Sequence, residues 1–140
     1  MAQDSAKNST MYRAVTRSIE VVVTPRFVAD RSAPDNNYFF WAYKISITNQ
    51  GKETVQLKTR HWRITDANGR RQEVRGAGVI GEEPVLKAGE AFEYTSGVPL
   101  QTPSGFMAGT YGMVSANGEH FDIEIPAFSL DSVESKRTLN

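Results

Sequence analysis

The strongest constraint on how this chain folds is a rhythm of two. Phe39, Trp41, Tyr43, Ile45 and Ile47 fall at alternate positions and stop at the turn signal Asn49-Gln50-Gly51. Successive side chains of a strand point to opposite faces, so this spacing gathers its large apolar groups on one side only in extended backbone. Ile19, Val21 and Val23 repeat the pattern with Ser18, Glu20, Val22 and Thr24 between them. Val55 and Leu57 begin a further strand on one phase, whereas Trp62 and Ile64 finish it on the other. A phase change of one residue needs a bulge or bend, expected near Thr59–His61.

Turn chemistry divides the rest of the chain. Asn68-Gly69 predicts a tight hairpin leading into Gln72-Glu73-Val74, because Asn-Gly tolerates positive φ. Val85-Leu86, a turn at Lys87-Ala88-Gly89-Glu90 and a strand holding Phe92 and Tyr94 follow. The Pro/Gly/Ser-rich stretch from Gly97 to Gly105 is expected to be a connection. Met107 to Ser115 forms another strand, Asn117-Gly118 a turn, and Phe121, Ile123 and Ile125 a last strand, with Pro126 at a strand end or edge. Seven or more short strands with turns near every tenth residue predict an all-β antiparallel β-sandwich.

With 140 residues the chain is expected to be one domain that buries about two-thirds of its unfolded surface unaided. Sixteen Lys and Arg balance sixteen Asp and Glu, which argues against a global field that draws in nucleic acid or anionic membrane. Cysteine is absent, so disulfides, thiolate catalysis and iron–sulfur clusters are excluded, and a reducing compartment suits the composition. No apolar run approaches the roughly 20 residues that span a bilayer, and Met1–Lys7 is polar, unlike a signal peptide. The expectation is a cytoplasmic domain over residues 14–131, with a flexible N-terminal segment at 1–13 and a tail at 132–140.

From Arg60 to Leu130 several ordered motifs carry a family likeness. They are Arg60-His61-Trp62-Arg63-Ile64-Thr65-Asp66, Glu73-Val74-Arg75-Gly76-Ala77-Gly78-Val79-Ile80-Gly81-Glu82-Glu83-Pro84, Phe92-Glu93-Tyr94-Thr95-Ser96-Gly97, Gly105-Phe106-Met107-Ala108-Gly109-Thr110-Tyr111 and Phe121-Asp122-Ile123-Glu124-Ile125-Pro126-Ala127-Phe128. Together with the earlier strands they make residues 14–131 resemble the ApaG family of small bacterial proteins, whose domain also occurs in some eukaryotic F-box proteins and in a DNA-polymerase-interacting protein. The resemblance implies a fibronectin type III-like (immunoglobulin-like) sandwich. It also brings associations with magnesium and cobalt handling and with a neighbouring diadenosine-polyphosphate hydrolase gene.

Gly76, Gly78 and Gly81 spell the GxGxxG of a dinucleotide-binding turn. That motif works at the start of a helix, whose first amides and dipole meet the pyrophosphate. Here Glu82-Glu83-Pro84 follows, and Lys87-Ala88-Gly89 leaves no room for a helix. Two readings stay open: a glycine-rich bulge or loop between strands, and a nest of backbone amides that binds phosphate, pyrophosphate or a nucleotide without a helix. Arg60, Arg63, Arg70, Arg71 and Arg75 are half of the chain's ten arginines, and Arg75 and Arg71 are the candidates to reach an anion at that loop. The alternative is that arginines keep an exposed hairpin edge soluble. Glu82, Glu83, Glu90 and Glu93 form an acidic block expected to neutralise the basic one across the sandwich.

His61 and His120 are the only histidines, and neither has metal-ligand spacing. His120, Asp122 and Glu124 share one strand face, either as candidate ligands for a divalent ion or as a solvated outer face. Ser96 and Ser104 lack the surroundings of a nucleophile, so no catalytic residue and no cofactor is expected. Phe39, Trp41, Tyr43 and Trp62 are expected in the core. Tyr38 and Phe40 lie on the opposite strand face, either as an apolar partner patch or as cover for a loop. The function expected is a non-enzymatic module that binds a protein partner; the alternatives are a phosphoanion at the glycine loop and, as the resemblance implies, an indirect role in magnesium or cobalt homeostasis.

Overall fold

The computed structural model describes residues 10–132; the expected flexible end and tail lie largely outside them. Nine strands run in order: β1 Tyr12–Thr16, β2 Ile19–Phe27, β3 Phe39–Asn49, β4 Val55–Asp66, β5 Arg71–Ala77, β6 Val85–Leu86, β7 Ala91–Leu100, β8 Ser104–Ser115 and β9 His120–Asp131. Two single-turn 3-10 segments, Ala29–Arg31 and Pro34–Asn36, connect β2 to β3. All pairings are antiparallel. They build one sheet in the order β1-β2-β3-β7 and a second in the order β5-β4-β8-β9, with β6 also paired to β4. The two sheets form the sandwich expected from the alternation.

The core lies where the alternating residues meet. Trp41, Tyr43, Ile45 and Ile47 from β3 and Ile19, Val21 and Val23 from β2 face Leu57, Trp62, Tyr111, Met113, Ile123 and Ile125, all buried. Aromatic edges lock the middle: Tyr43 meets Trp62 at 5.5 Å and Phe128 at 5.7 Å between ring centroids. Such offset contacts add to the area they bury.

Local departures from the sequence expectation have identifiable causes. The β4 phase change is a bulge between Leu57 and Thr59 against β8, just ahead of the expected Thr59–His61. A second register shift faces Met107 and Gly109; there Pro126 sits in an edge strand that continues to Asp131, because the bulge returns Phe128 and Leu130 to the core. The expected connection from Gly97 to Gly105 is mostly strand, since β7 runs to Leu100 and β8 starts at Ser104. Gly97 there leaves the space that the Phe40 ring fills. Strand structure also reaches back to Tyr12, ahead of the expected start at 14, because β1 pairs with β2 through a two-residue turn.

That turn, Arg17-Ser18, holds φ of 50° and 66°. Arg17 there donates to both oxygens of Glu119, each at 3.0 Å, and its guanidinium lies 4.1 Å over the Phe121 ring. The contact joins the β1–β2 hairpin to the β8–β9 hairpin. Thr16 Oγ1 accepts the Glu124 amide at 3.1 Å, so β1 closes this side of the sandwich. The opposite side, between β7 and β5, stays open.

Candidate functional site

The glycine motif lies on that open side, and its three glycines have three different structural roles. Gly76 is inside β5, paired with Arg60; the Arg60 guanidinium crosses its α-carbon and donates to the carbonyls of Ala77 and Gly78, both at 3.0 Å. Gly78 has φ 62°, and a Cβ there would collide with the Glu82 carbonyl oxygen. Gly81 has φ 80° beside Ile80 at φ 41°. Val79 and Glu82 exchange both backbone bonds, each at 2.8 Å. Two positive-φ residues inside a doubly bonded pair make a turn of the type I′ kind.

This geometry spends three amides in and beside the motif. The Gly78 amide donates to the Lys58 carbonyl at 2.8 Å, and those of Val79 and Glu82 donate to each other's carbonyls. The segment that follows is β6, not a helix. The motif therefore builds a closed strand-to-strand turn.

Arg71 and Arg75 do share the outer face of β5, four residues or about 13 Å apart. Glu73 stands between them and takes up Arg75 at 3.3 Å and His61 Nε2 at 2.9 Å. Those two neighbours, His61 first, hold the Glu73 carboxyl below its ordinary range. The two arginines and the glycine turn are thus not brought to one point.

Nor do the basic and acidic blocks neutralise each other as expected: Glu83 pairs with Lys58 at 2.7 Å and Glu93 with Lys44 at 3.5 Å. Among the described residues, Arg63, Arg70 and Arg71 enter no ion pair; Arg70 instead donates to the Gln101 side chain at 3.1 Å.

Arg70 and Arg71 stand at the mouth of a groove of about 450 Å³, with Tyr38, Ile64, Leu100 and Gln101 among its lining residues. It opens between the β4–β5 hairpin and the end of β7, and no sequence motif marks it, because its walls come from segments far apart in the chain. The Asp66 carboxylate at its rim is occupied by the Asn68 and Arg70 amides, both at 2.9 Å. Tyr38 is exposed here, whereas Phe40 is half-buried, under Arg31 at 4.2 Å and against Gly97. The two rings separate: Phe40 covers the β2–β3 connection, and Tyr38 faces the groove.

His120, Asp122 and Glu124 lie on the exposed face of β9 as a strand predicts. The ends of this stripe, His120 and Glu124, are four residues or about 13 Å apart along the strand. Among the described residues no group of three His, Asp or Glu side chains is placed to hold a metal ion. No helix among them is long and apolar enough to cross a membrane.

The fold and this surface define a class: a small antiparallel β-sandwich closed along one side, whose open side carries an arginine-rich edge strand, a groove and a tight glycine turn. The chain belongs to the ApaG family. The ApaG domain model matches residues 29–115. Protein ApaG of Bradyrhizobium diazoefficiens is 65% identical over 130 residues, which cover 93% of this chain and 100% of that protein. Protein ApaG of Rhodospirillum centenum is 62% identical over the same shares. Among solved structures, the putative ApaA protein from Bordetella pertussis superposes with a TM-score of 0.81 at 49% identity, covering 82% of this chain and 94% of that one. The C-terminal domain of wzt is 10% identical with a TM-score of 0.52, over 88% of this chain and 78% of that one, a likeness of fold alone.

Proposed function

We propose that this chain is a cytoplasmic, non-enzymatic protein-binding module, and that its partner sits along the open side, from the groove past β5 to the turn at Ile80. The reading rests on Ile80 itself. A β-branched residue at φ 41°, 58% exposed, has left-handed backbone that costs about 1–2 kcal/mol and gains little burial in return. Asn or Gly would make the same turn at less cost. Strain of this kind is kept where the surroundings or a function require it, and an exposed apolar side chain at the tip of a rigid turn is suited to a partner's pocket. The order β2-β3-β7 facing β5-β4-β8-β9 supports the fibronectin type III-like topology implied by the family resemblance.

The test places a photo-crosslinking amino acid at position 80 and, separately, at Lys44 on the outer face of the other sheet. One identified protein trapped from position 80 and not from 44, whose binding to the chain without a crosslinker is lost in Ile80→Asn while the fold is retained, supports the reading. Equal trapping from both positions, or a partner unaffected by Ile80→Asn, rejects it.

A further inference from the structure

We infer that the free edge of β5 takes up an extended segment of the partner as an added strand, and that this segment carries acidic side chains four residues apart with a basic or neutral one midway. The inference rests on the protein-binding reading and names the partner's chemistry.

The ladder fixes which groups of β5 are free. At its two ends the Asp66 amide donates to the Arg70 carbonyl at 3.0 Å and the Gly78 amide to the Lys58 carbonyl at 2.8 Å. Bonded and non-bonded pairs alternate between these ends. Arg60–Gly76, Trp62–Val74 and Ile64–Gln72 are therefore the bonded pairs. Arg71, Glu73 and Arg75 aim their N–H and C=O away from β4, on the side where β5 has no neighbour.

Two other edges carry obstacles to an added strand. On β9, Thr16 takes the outward Glu124 amide and Trp41 Nε1 donates to the outward Asp131 carbonyl at 3.1 Å. On β7, the bond from the Asn49 amide to the Glu90 carbonyl at 2.9 Å sets a phase in which Pro99 falls outward, where its missing N–H breaks any added ladder.

The same three residues direct their side chains to the outer face as plus, minus, plus. A strand laid against them meets Arg71 and Arg75 with acids and Glu73 with a base or a neutral group, since like charges directly opposite destabilise a pair. The pattern is palindromic, so it holds for either strand direction. The intervening residues of the added strand turn inward beside half-buried Val74 and the groove lined by Tyr38, Ile64 and Leu100, which favours apolar groups. Charged side chains also keep an edge soluble, so the test turns on register rather than on net charge.

Two peptides of identical composition and flanks, with cores Glu-Val-Lys-Phe-Glu and Lys-Val-Glu-Phe-Glu, are titrated into the full ¹⁵N-labelled chain. The first is expected to shift the amides of Arg71, Glu73 and Arg75 and of the groove. The second is expected to bind about fivefold more weakly. The charge swap Arg71→Glu/Glu73→Arg should reverse this preference. Glu73→Pro should abolish binding while the fold remains, since it removes an N–H the fold does not use; if that variant does not fold, the reversal by the charge swap decides. Equal binding of both peptides, binding retained in Glu73→Pro, or the same shifts produced by inorganic phosphate overturns the inference. Absence of shifts at millimolar peptide, while position 80 still traps its partner, rejects strand addition and leaves the protein-binding reading in place; loss of both rejects both.

Discussion

The guanidinium of Arg60 lies across Gly76, its Cζ 2.8 Å from where a Cβ would stand. This is a side chain of one strand laid over the bare α-carbon of the next, and it explains a glycine inside a strand, where glycine ordinarily weakens the element. From here Arg60 holds the carbonyls of Ala77 and Gly78 and so ties the end of β5 to β4.

The three glycines should therefore differ under substitution. Gly78→Ala adds a clash with the Glu82 backbone to positive φ and should cost more than about 2 kcal/mol. Gly81→Ala meets open space and should cost about 1 kcal/mol, for φ alone. Gly76→Ala displaces only the flexible end of Arg60 and regains strand propensity, so it should cost less than about 1 kcal/mol. Urea unfolding of the three variants checks the order, and Gly76→Ala as the most damaging would refute it.

Ile80→Asn should stabilise the protein by about 1 kcal/mol, because Asn-Gly is the favoured pair for a type I′ turn. Thermal unfolding measures this, and an unchanged or lower midpoint would mean that the turn is not strained. A gain in stability coupled to loss of the partner would mark Ile80 as a residue retained for binding.

Glu119 should titrate below the ordinary carboxylate range, chiefly because Arg17 donates hydrogen bonds to it and secondarily through the charge of Arg17. Its folded pKa is depressed, so its contribution to stability is present above the unfolded value of 4.5 and is lost as pH falls through the folded value. Carboxyl ¹³C titration should show the lowered midpoint, and Arg17→Ala should return it to the ordinary range. A midpoint that ignores Arg17→Ala would mean that the contact between the two hairpins does not persist in solution.

Tyr94 and Tyr111 share a hydrogen bond of 2.5 Å in the core, and burial first of all raises both hydroxyls well above the ordinary phenol. Raised folded pKa values leave stability intact below the unfolded value of 10.0 and erode it as pH climbs beyond. Phenolate absorbance of these residues should appear only with unfolding. Tyr111→Phe strands the Tyr94 hydroxyl and should cost about 1–3 kcal/mol, whereas the double Phe variant should recover part of that loss. A double variant no more stable than Tyr111→Phe alone would contradict this account.

Much of the fold was legible because its signals are local. Alternation placed the buried faces of β2, β3, β4 and β9, and Asn-Gly placed the β4–β5 and β8–β9 turns. The end of β7 was misread because Gly97, Pro99 and Pro103 look like loop residues; Pro99 is tolerated only because its nitrogen faces an open edge, which depends on sheet order. β1 was missed because it is short and half-exposed, and it is recognised by what it pairs with. At the candidate site, sequence located Arg71, Arg75 and the glycines but not the groove or the strained Ile80, since an isoleucine gives no local signal of positive φ.

By itself, then, the sequence determined that the chain is a β-sandwich, which faces of most strands are buried, and which family it belongs to. All three follow from side chains read at fixed spacing along one strand or motif. Tertiary structure alone decided that β5 is the open edge, that Glu73 is taken up by His61 of β4, and that the glycines make a closed turn. Those outcomes depend on which distant strand lies alongside, and hydrogen bonds between strands are not encoded at any single position in the chain.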